Sequence, residues 1–165
     1  MRIAEWLETQ DVEYYMETHL AATTVDVRAQ RLLVRPRQVL GAVLVNADGR
    51  LIMCAVPADR EIDLAALRVV LGRGEVHPAA QSEVGRLCGG CEPGSEPPIG
   101  RLFAVPTLLD ASVREEAWVF LPAGTARVSI LMARADLERV SKATVAAFTR
   151  SAPAACSKRL LARSA

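Results

Sequence analysis

The sequence predicts a mixed α/β domain, and two observations lead to this class. First, apolar runs at residues 39–45 and 51–56 flank the turn sequence NADG at residues 46–49, which is typical of a β-hairpin. Second, Asp63 precedes an apolar helical pattern that ends at Gly72, as expected for the N-cap and the C-terminal glycine of a helix. Both hairpin strands are apolar almost without interruption, so we expect both of their faces to be covered.

Two helices and one strand are predicted before the hairpin. The pattern indicates a short amphipathic helix over residues 1–10 and a strand of aromatic and β-branched type over residues 12–16. Thr23 or Thr24 is expected to cap a helix that runs to about Leu33, with its arginines opposite its apolar stripe. The apolar positions of these two helices are Ile3, Trp6, Leu7, Val25, Ala29, Leu32 and Leu33.

After Gly72 the chain is predicted to continue with short helices and strands. A helix is expected over about residues 79–87, and a final helix from Asp136 to about residue 148. Residues 151–165 mix alanine, serine and basic side chains without a periodic stripe, which predicts a mobile tail after a single domain at 1–150. The later strands are expected over residues 102–109, 116–120 and 127–132.

Composition and charge limit the classes of function. The chain has 165 residues, of which 51% are hydrophobic and 24% charged, so one domain with a single core is expected. Its net charge of +1 arises from 20 basic and 19 acidic residues, so no global field attracts nucleic acid and any RNA contact must be local. No DNA partner is expected. No membrane partner is expected either, because no apolar run approaches the length of a membrane span. Since no signal peptide is evident, we expect a cytoplasmic location.

The four cysteines are expected to be reduced thiols. Cys88 and Cys91 have CxxC spacing, but a structural zinc site needs a second ligand pair, and the remaining cysteines and histidines show no paired spacing. We therefore expect no metal and no cofactor. Thiol exchange remains a minor alternative, since redox CxxC motifs normally open a helix, whereas this pair precedes a loop. The other two thiols are Cys54 and Cys156.

The segment CEPGSEPPIG at residues 91–100, here called the proline-glycine loop, combines three prolines, two glycines and a serine. Proline restricts φ and removes an N–H donor, while glycine permits positive φ and close backbone approach. Such a loop holds one shape and presents free amides beside a small hydroxyl. It predicts either the preorganised wall of a pocket or a tight surface turn.

Taken together, these segments resemble the YbaK/ProX-like aminoacyl-tRNA editing family over roughly residues 10–150. The resemblance implies a strongly curved, barrel-like mixed sheet with peripheral helices. It also implies hydrolysis of the ester of mischarged aminoacyl-tRNA, with the acceptor end of the tRNA as partner. The motifs that carry the resemblance are AVPAD at 55–59, DLxxL with LG at 63–72, CEPGxxPPxG at 91–100, LD at 109–110 and AG at 123–124.

The resemblance also implies roles for individual residues. Gly94 and Ser95 belong to the loop that would orient the aminoacyl group and supply backbone donors, while a water performs the hydrolysis. Two of the implied positions have a structural alternative: His19 as a hydrogen-bonded surface histidine, and Asp110 as the cap of the following turn. The implied substrate-binding residues are His19, Pro97, Pro98, Gly100, Asp110 and Gly124.

This chain departs from the family at two polar positions. Members that edit carry a lysine at the start of the first hairpin strand, where this chain has Gly41, and no lysine occurs before Lys142. Arg35 and Arg37 could supply positive charge, although a guanidinium is larger than an ammonium group and always protonated. The histidine that commonly follows the Ala-Gly motif is also absent, since Thr125 stands there.

Three functions are therefore open at this stage. The chain could be a deacylase that acts mainly by positioning the ester. It could be an inactive member of the same fold that binds an amino acid, an aminoacyl-adenosine end or a protein. It could also be a pseudoenzyme with a filled pocket that serves in assembly, for example as a homodimer through an exposed sheet edge. Pocket chemistry, rather than fold, separates them.

Overall fold

The computed structural model describes residues 3–72 and 74–153, and these form the predicted mixed α/β fold. The predicted mobile tail lies outside the described residues from position 154 onward. The helices are α1 (Ile3–Glu8), α2 (Val25–Leu32), α3 (Leu64–Leu71), α4 (Gln81–Leu87) and α5 (Arg134–Ser141). The strands are β1 (Tyr14–Thr18), β2 (Leu40–Ala47), β3 (Arg50–Pro57), β4 (Arg60–Ile62), β5 (Val76–Pro78), β6 (Thr107–Asp110), β7 (Trp118–Pro122), β8 (Val128–Ala133), β9 (Thr144–Ala146) and β10 (Thr149–Ser151).

The strands form a five-stranded sheet in the order β5-β2-β3-β6-β9, a three-stranded sheet β1-β8-β7 and a two-stranded sheet β10-β4. An isolated parallel bridge between Val39 and Phe120 joins the first two sheets. In the larger sheet β2 and β3 are antiparallel, whereas β3, β6 and β9 are parallel to one another. Strand pairing in the described ranges shows no closed barrel, so the barrel-like curvature stays a prediction.

The hairpin and the helix that follows it form as predicted. The N–H of Gly49 donates to the side-chain oxygen of Asn46 at 2.8 Å, and Gly49 adopts the left-handed conformation at φ 84°. Asp63 caps α3 by accepting hydrogen bonds from the N–H groups of the first turn, and Gly72 ends the helix at φ 61°. These short-range features depend on local chemistry, which explains why the sequence predicts them.

Both faces of the β2-β3 hairpin are covered, as expected from its apolar runs. One cluster packs between this sheet, the three-stranded sheet, α1 and α5, and another lies beneath α3. Every helix in the described ranges is too short or too polar to cross a membrane. Core members of the first cluster include Leu7, Leu40, Leu109, Leu121, Ile130 and Leu137, and those of the second include Val45, Cys54, Leu67 and Phe148.

The predicted final helix is wrong beyond residue 141. Lys142 adopts the left-handed conformation at φ 51° and closes α5 with hydrogen bonds to the carbonyls of the last turn. The β-branched residues Thr144 and Val145 then pair with β6 as the edge strand β9. A β-branched side chain loses rotamer freedom in a helix and fits a pleated surface, which favours this change of structure.

Two predicted strands also differ from the observed ones. The first strand begins at Tyr14 rather than at residue 12, because its pairing with β8 starts with Tyr14 opposite Met132. The predicted strand 102–109 begins only at Thr107, since residues Gly100–Phe103 form a 3₁₀ helix that Ala104 ends in the left-handed conformation.

Candidate functional site

A groove runs along β2 and is bordered by the proline-glycine loop and the start of α2. It consists of two cavities of about 250 Å³ each, which share Ala42, Val43, Gly94 and Glu96. The first cavity is also lined by Thr23, Thr24, Val25, Gly41, Val56, Pro57 and Arg60. The second is also lined by Leu44, Met53, Pro78, Ala79, Gln81, Val84 and Cys88, so most of its side chains are apolar, with Gln81 and Glu96 as the polar ones.

The proline-glycine loop is hydrogen-bonded to the segment around Gly124. The N–H of Glu92 donates to the carbonyl of Gly124 at 2.9 Å, and the N–H of Gly124 donates to the carbonyl of Ser95 at 2.8 Å. The Glu92 carboxylate accepts a third bond, at 2.7 Å, from the N–H of Ala126. These three hydrogen bonds fix the backbone of the loop to residues 124–126. The exposed side of the loop therefore has a defined shape before any ligand binds.

Gly94 occupies a position that no other residue can fill without strain. Its φ is 80°, and a Cβ built on it would lie 2.0 Å from the carbonyl oxygen of Thr23. The residue is exposed and lines both cavities. Within residues 3–72 and 74–153, the N–H groups of Gly94 and Glu96 donate to no protein acceptor. Two donors are thus available on the segment that borders the groove.

Ser95 points its hydroxyl away from solvent. Its side chain is fully buried, and the hydroxyl accepts a hydrogen bond from the Nη2 atom of Arg28 at 3.1 Å. Neither cavity has Ser95 in its lining. The geometry supports a role for this hydroxyl in holding the loop rather than in contacting a ligand.

Arg28 is the centre of a buried polar cluster. Its Nη1 atom donates to the carbonyl of Val128 at 2.9 Å and to the hydroxyl of Ser129 at 3.0 Å. Its Nη2 atom also donates to the carbonyls of Ala22 and Thr125, each at 3.3 Å. The side chain is fully buried. Arg28 therefore connects α2, β8 and the proline-glycine loop through one cation.

Burial lowers the pKa of the Arg28 guanidinium, and the nearby Glu92 carboxylate opposes that shift. An arginine stays protonated even when burial lowers its pKa, because its ordinary pKa is so high. The cluster is therefore a buried positive charge surrounded by oxygen acceptors. The expectation that the α2 arginines lie opposite the apolar stripe is wrong for Arg28. Residues 25 and 28 are three apart, so both lie on the buried face of α2.

His19 belongs to the same cluster. Its Nδ1 atom faces the carbonyl of Leu20 at 2.8 Å, and a carbonyl can only accept, so this nitrogen carries the hydrogen. In the neutral ring Nε2 then accepts from the Ser129 hydroxyl at 2.9 Å and lies 3.3 Å from Arg28 Nη1. His19 lines neither cavity.

The remaining residues predicted to bind substrate also lie behind the groove. Asp110 is buried and caps the following turn through the N–H of Ser112, while its other oxygen accepts from the N–H of Phe148 at 3.2 Å. Gly100 is buried, and a Cβ on it would lie 2.4 Å from the carbonyl of Val105. Pro97 and Pro98 are buried as well, and none of these four residues lines a cavity.

The space beside Gly41, where the resemblance places the family lysine, is occupied by another side chain. A Cβ built on Gly41 would lie 2.6 Å from Cγ1 of Val25. Arg35 pairs instead with the buried Glu116 at 3.2 Å and Arg37 with Glu115 at 3.6 Å, and neither arginine lines the groove. Among the residues that the structure describes, the cationic side chain that lines the groove is Arg60.

We expect the single substitution Gly41→Lys to lower the free energy of unfolding by about 1–3 kcal/mol, the usual cost of overpacking. Val25 is β-branched and cannot rotate freely away from the new Cβ. The double variant Val25→Ala/Gly41→Lys should recover most of this loss relative to Val25→Ala alone. Urea denaturation of the four proteins measures the coupling. Equal stability of Gly41→Lys and the wild type would contradict the steric argument.

Burial raises the pKa of the three thiols that the structure describes, those of Cys54, Cys88 and Cys91. Cys88 lies in the second cavity, and burial, with smaller contributions from Cys91 and Glu96, raises its pKa to about 11. Burial also raises the pKa of Cys54 to about 12. Because the thiolate is the nucleophile in thiol exchange, these shifts disfavour a redox role. In the described part of the chain, no three His, Cys, Asp or Glu side chains are grouped as metal ligands.

Comparison with known proteins defines the class to which this site belongs. The sequence profile of the aminoacyl-tRNA editing domain matches residues 19–140. This chain therefore belongs to the aminoacyl-tRNA editing domain family, which confirms the resemblance drawn from the motifs.

Solved structures share the fold over most of the chain. The hypothetical protein APE2540 has a TM-score of 0.83 at 18% identity, with 91% of this chain and 100% of that chain covered. A candidate trans-editing enzyme for prolyl tRNA synthetase has a TM-score of 0.78 at 23% identity, with 91% and 96% covered. A candidate signal transduction protein from Marinobacter aquaeolei VT8 has a TM-score of 0.72 at 20% identity, with 89% and 30% covered. At these identities the likeness shows the fold alone.

Proposed function

We propose that this protein hydrolyses the ester of mischarged aminoacyl-tRNA in the groove beside β2, in the compartment where tRNA is charged. The observation that carries the proposal is the position of the proline-glycine loop. Gly94 and Glu96 border the groove, while the bonds to Gly124 and Ala126 hold the loop in place. The loop thus provides a fixed surface against which a small ester can be oriented.

The chemistry requires little from side chains. An aminoacyl ester is labile, so a water aligned with its carbonyl and donors for the developing oxyanion are sufficient. The N–H groups of Gly94 and Glu96 are the donors available on this segment in the described ranges. One preorganised oxyanion donor contributes about 2.7–4 kcal/mol to transition-state stabilisation. The role that we propose for Ser95 is to hold this backbone through Arg28.

The apolar second cavity is the site that we propose for the amino-acid side chain. Leu44, Met53 and Val84 are among its lining residues. Because most of this wall offers a polar side chain no partner and Glu96 repels an acidic one, the cavity favours small or apolar aminoacyl groups over acidic ones.

An inactive binding module of the same fold is the second candidate, and one observation favours it. Val25 occupies the space beside Gly41 where the family lysine would begin, so the first cavity is adapted to the absence of that side chain. The groove would then bind an aminoacyl-adenosine end without hydrolysing it.

Single-turnover hydrolysis of a panel of labelled aminoacyl-tRNAs separates these candidates. The panel includes alanyl, cysteinyl and seryl groups on non-cognate tRNAs, and acidic aminoacyl groups serve as the control. We expect at least one small aminoacyl ester to be hydrolysed well above the rate without protein. Binding of a non-hydrolysable aminoacyl-adenosine amide without any turnover would support the inactive module, and neither binding nor turnover would contradict both candidates.

A further inference from the structure

The charged groups of the groove are divided between its two cavities. In the described part of the chain, the charged side chains that line the groove are Arg60 and Glu96. Glu96 borders both cavities, whereas Arg60 lines only the first, beside Gly41. The groove therefore has a cation at one end, a carboxylate where the cavities meet, and an apolar second cavity.

Arg60 is held in position by hydrogen bonds to a single residue, Thr149. Its Nε atom donates to the hydroxyl of Thr149 at 2.8 Å, and its Nη2 atom donates to the carbonyl of the same residue at 3.0 Å. Over residues 3–72 and 74–153 it forms no ion pair, and its Nη1 atom donates to no protein acceptor. A partly buried guanidinium with a free donor is suited to an external anion.

The start of α2 borders the same cavity. Thr24 caps this helix and lines the first cavity together with Thr23 and Val25. The first turn of a helix carries partial positive charge, which favours a phosphate or carboxylate nearby. Asp26 places a carboxylate in the same first turn and opposes this effect, so the inference depends on the charge of Arg60.

We propose that Arg60 binds the phosphate that joins the terminal nucleoside of the aminoacylated RNA to the rest of the RNA. This inference rests on the proposed function. A terminal aminoacyl-nucleotide carries an anionic phosphate on one side of the ribose and a cationic α-ammonium group on the other. The phosphate lies in the first cavity at Arg60, and the α-ammonium group faces Glu96. The amino-acid side chain then enters the apolar second cavity. Arg60 thus supplies the positive charge that Gly41 does not.

The test compares two non-hydrolysable ligands that differ by one phosphate. They are 3′-alanylamido-3′-deoxyadenosine with a free 5′-hydroxyl and the same compound with a 5′-phosphate, and calorimetry gives the Kd of each. We expect the wild type to bind the phosphorylated ligand about 10-fold or more tightly than the ligand with a free 5′-hydroxyl, because hydrogen bonds to a charged group are strong. Arg60→Gln keeps a polar side chain near Thr149. In this variant we expect the preference to fall to about 2-fold or less, because the remaining solvent-exposed charges interact only weakly with the phosphate.

Two further variants make the result specific. Arg150→Ala removes an arginine from the adjacent strand β10 that pairs with Glu61 and does not line the groove, so the phosphate preference should be unchanged. Arg60→Lys keeps the charge and should retain part of the preference. Circular dichroism checks that each variant is folded.

The outcomes distinguish this inference from the proposed function. If the wild type binds both ligands equally, or if Arg60→Gln and Arg60→Lys both keep the full phosphate preference, Arg60 is not the phosphate-binding residue although the groove still binds aminoacyl-nucleosides. If neither ligand binds the wild type and no aminoacyl-tRNA is hydrolysed, the proposed function fails together with this inference.

Discussion

Replacing Arg28 by methionine is expected to lower the free energy of unfolding by about 3–5 kcal/mol, because several acceptors lose their donor and each buried group left unsatisfied costs about 1–3 kcal/mol. Methionine keeps the length of the side chain but donates no hydrogen bond. The carbonyls of Ala22, Thr125 and Val128 would then lose their hydrogen bonds from the guanidinium, and the bond to Ala22 is buried. Urea denaturation monitored by tryptophan fluorescence measures the change.

Arg31→Met is the matched control, since Arg31 lies on the same helix but is exposed. We expect it to change the free energy of unfolding by less than about 0.5 kcal/mol. The same Arg28 variant should also slow hydrolysis, because Ser95 loses the donor that fixes its hydroxyl. A stable Arg28→Met protein with unchanged hydrolysis would show that the cluster does not position the loop.

The substitution Gly94→Ala is expected to reduce the single-turnover hydrolysis rate by about 100-fold or more, since a displacement of about 1 Å at a reacting centre has this effect. The new Cβ would lie 2.0 Å from the Thr23 carbonyl oxygen at a φ of 80°, so the backbone must move. The left-handed conformation adds a cost of about 1–2 kcal/mol for alanine. Both effects act directly on the segment that would supply the oxyanion donors.

Gly90→Ala provides the control for this prediction. Gly90 lies four residues earlier, its φ is not in the left-handed range, and a Cβ on it would meet no atom within 4 Å. We expect its hydrolysis rate to stay within about 2-fold of the wild type, as is usual for a surface substitution away from a site. A Gly94→Ala variant that hydrolyses as fast as Gly90→Ala would exclude the loop as the catalytic wall.

Short-range features of the fold could be predicted because neighbouring residues determine them. The turn at Gly49 and the capped helix between Asp63 and Gly72 depend on φ preferences and on hydrogen bonds within a few positions. The short strands β4, β5, β9 and β10 were not predicted. Each has three residues and forms only because a distant segment supplies its partner, as β4 does for β10.

The site could be predicted only in outline. The composition of the proline-glycine loop directs attention to Gly94, which lines the groove. It does not show that Ser95 faces inward to Arg28, nor that Arg60 lines the first cavity. The helical spacing of Val25 and Arg28 is the one signal that could have placed this arginine on the buried face.

The sequence by itself determined the mixed α/β class, the hairpin, the stiff loop and the family, because each depends on local conformational preference or on an ordered set of motifs. The tertiary structure alone decided which polar groups reach the groove. Arg28, Ser95, His19 and Ser129 meet in one buried cluster, in which His19 and Ser129 are 110 positions apart in the chain, whereas Arg60 and Glu96 border the cavities. Such contacts depend on packing between segments far apart in the chain, and no local preference encodes them.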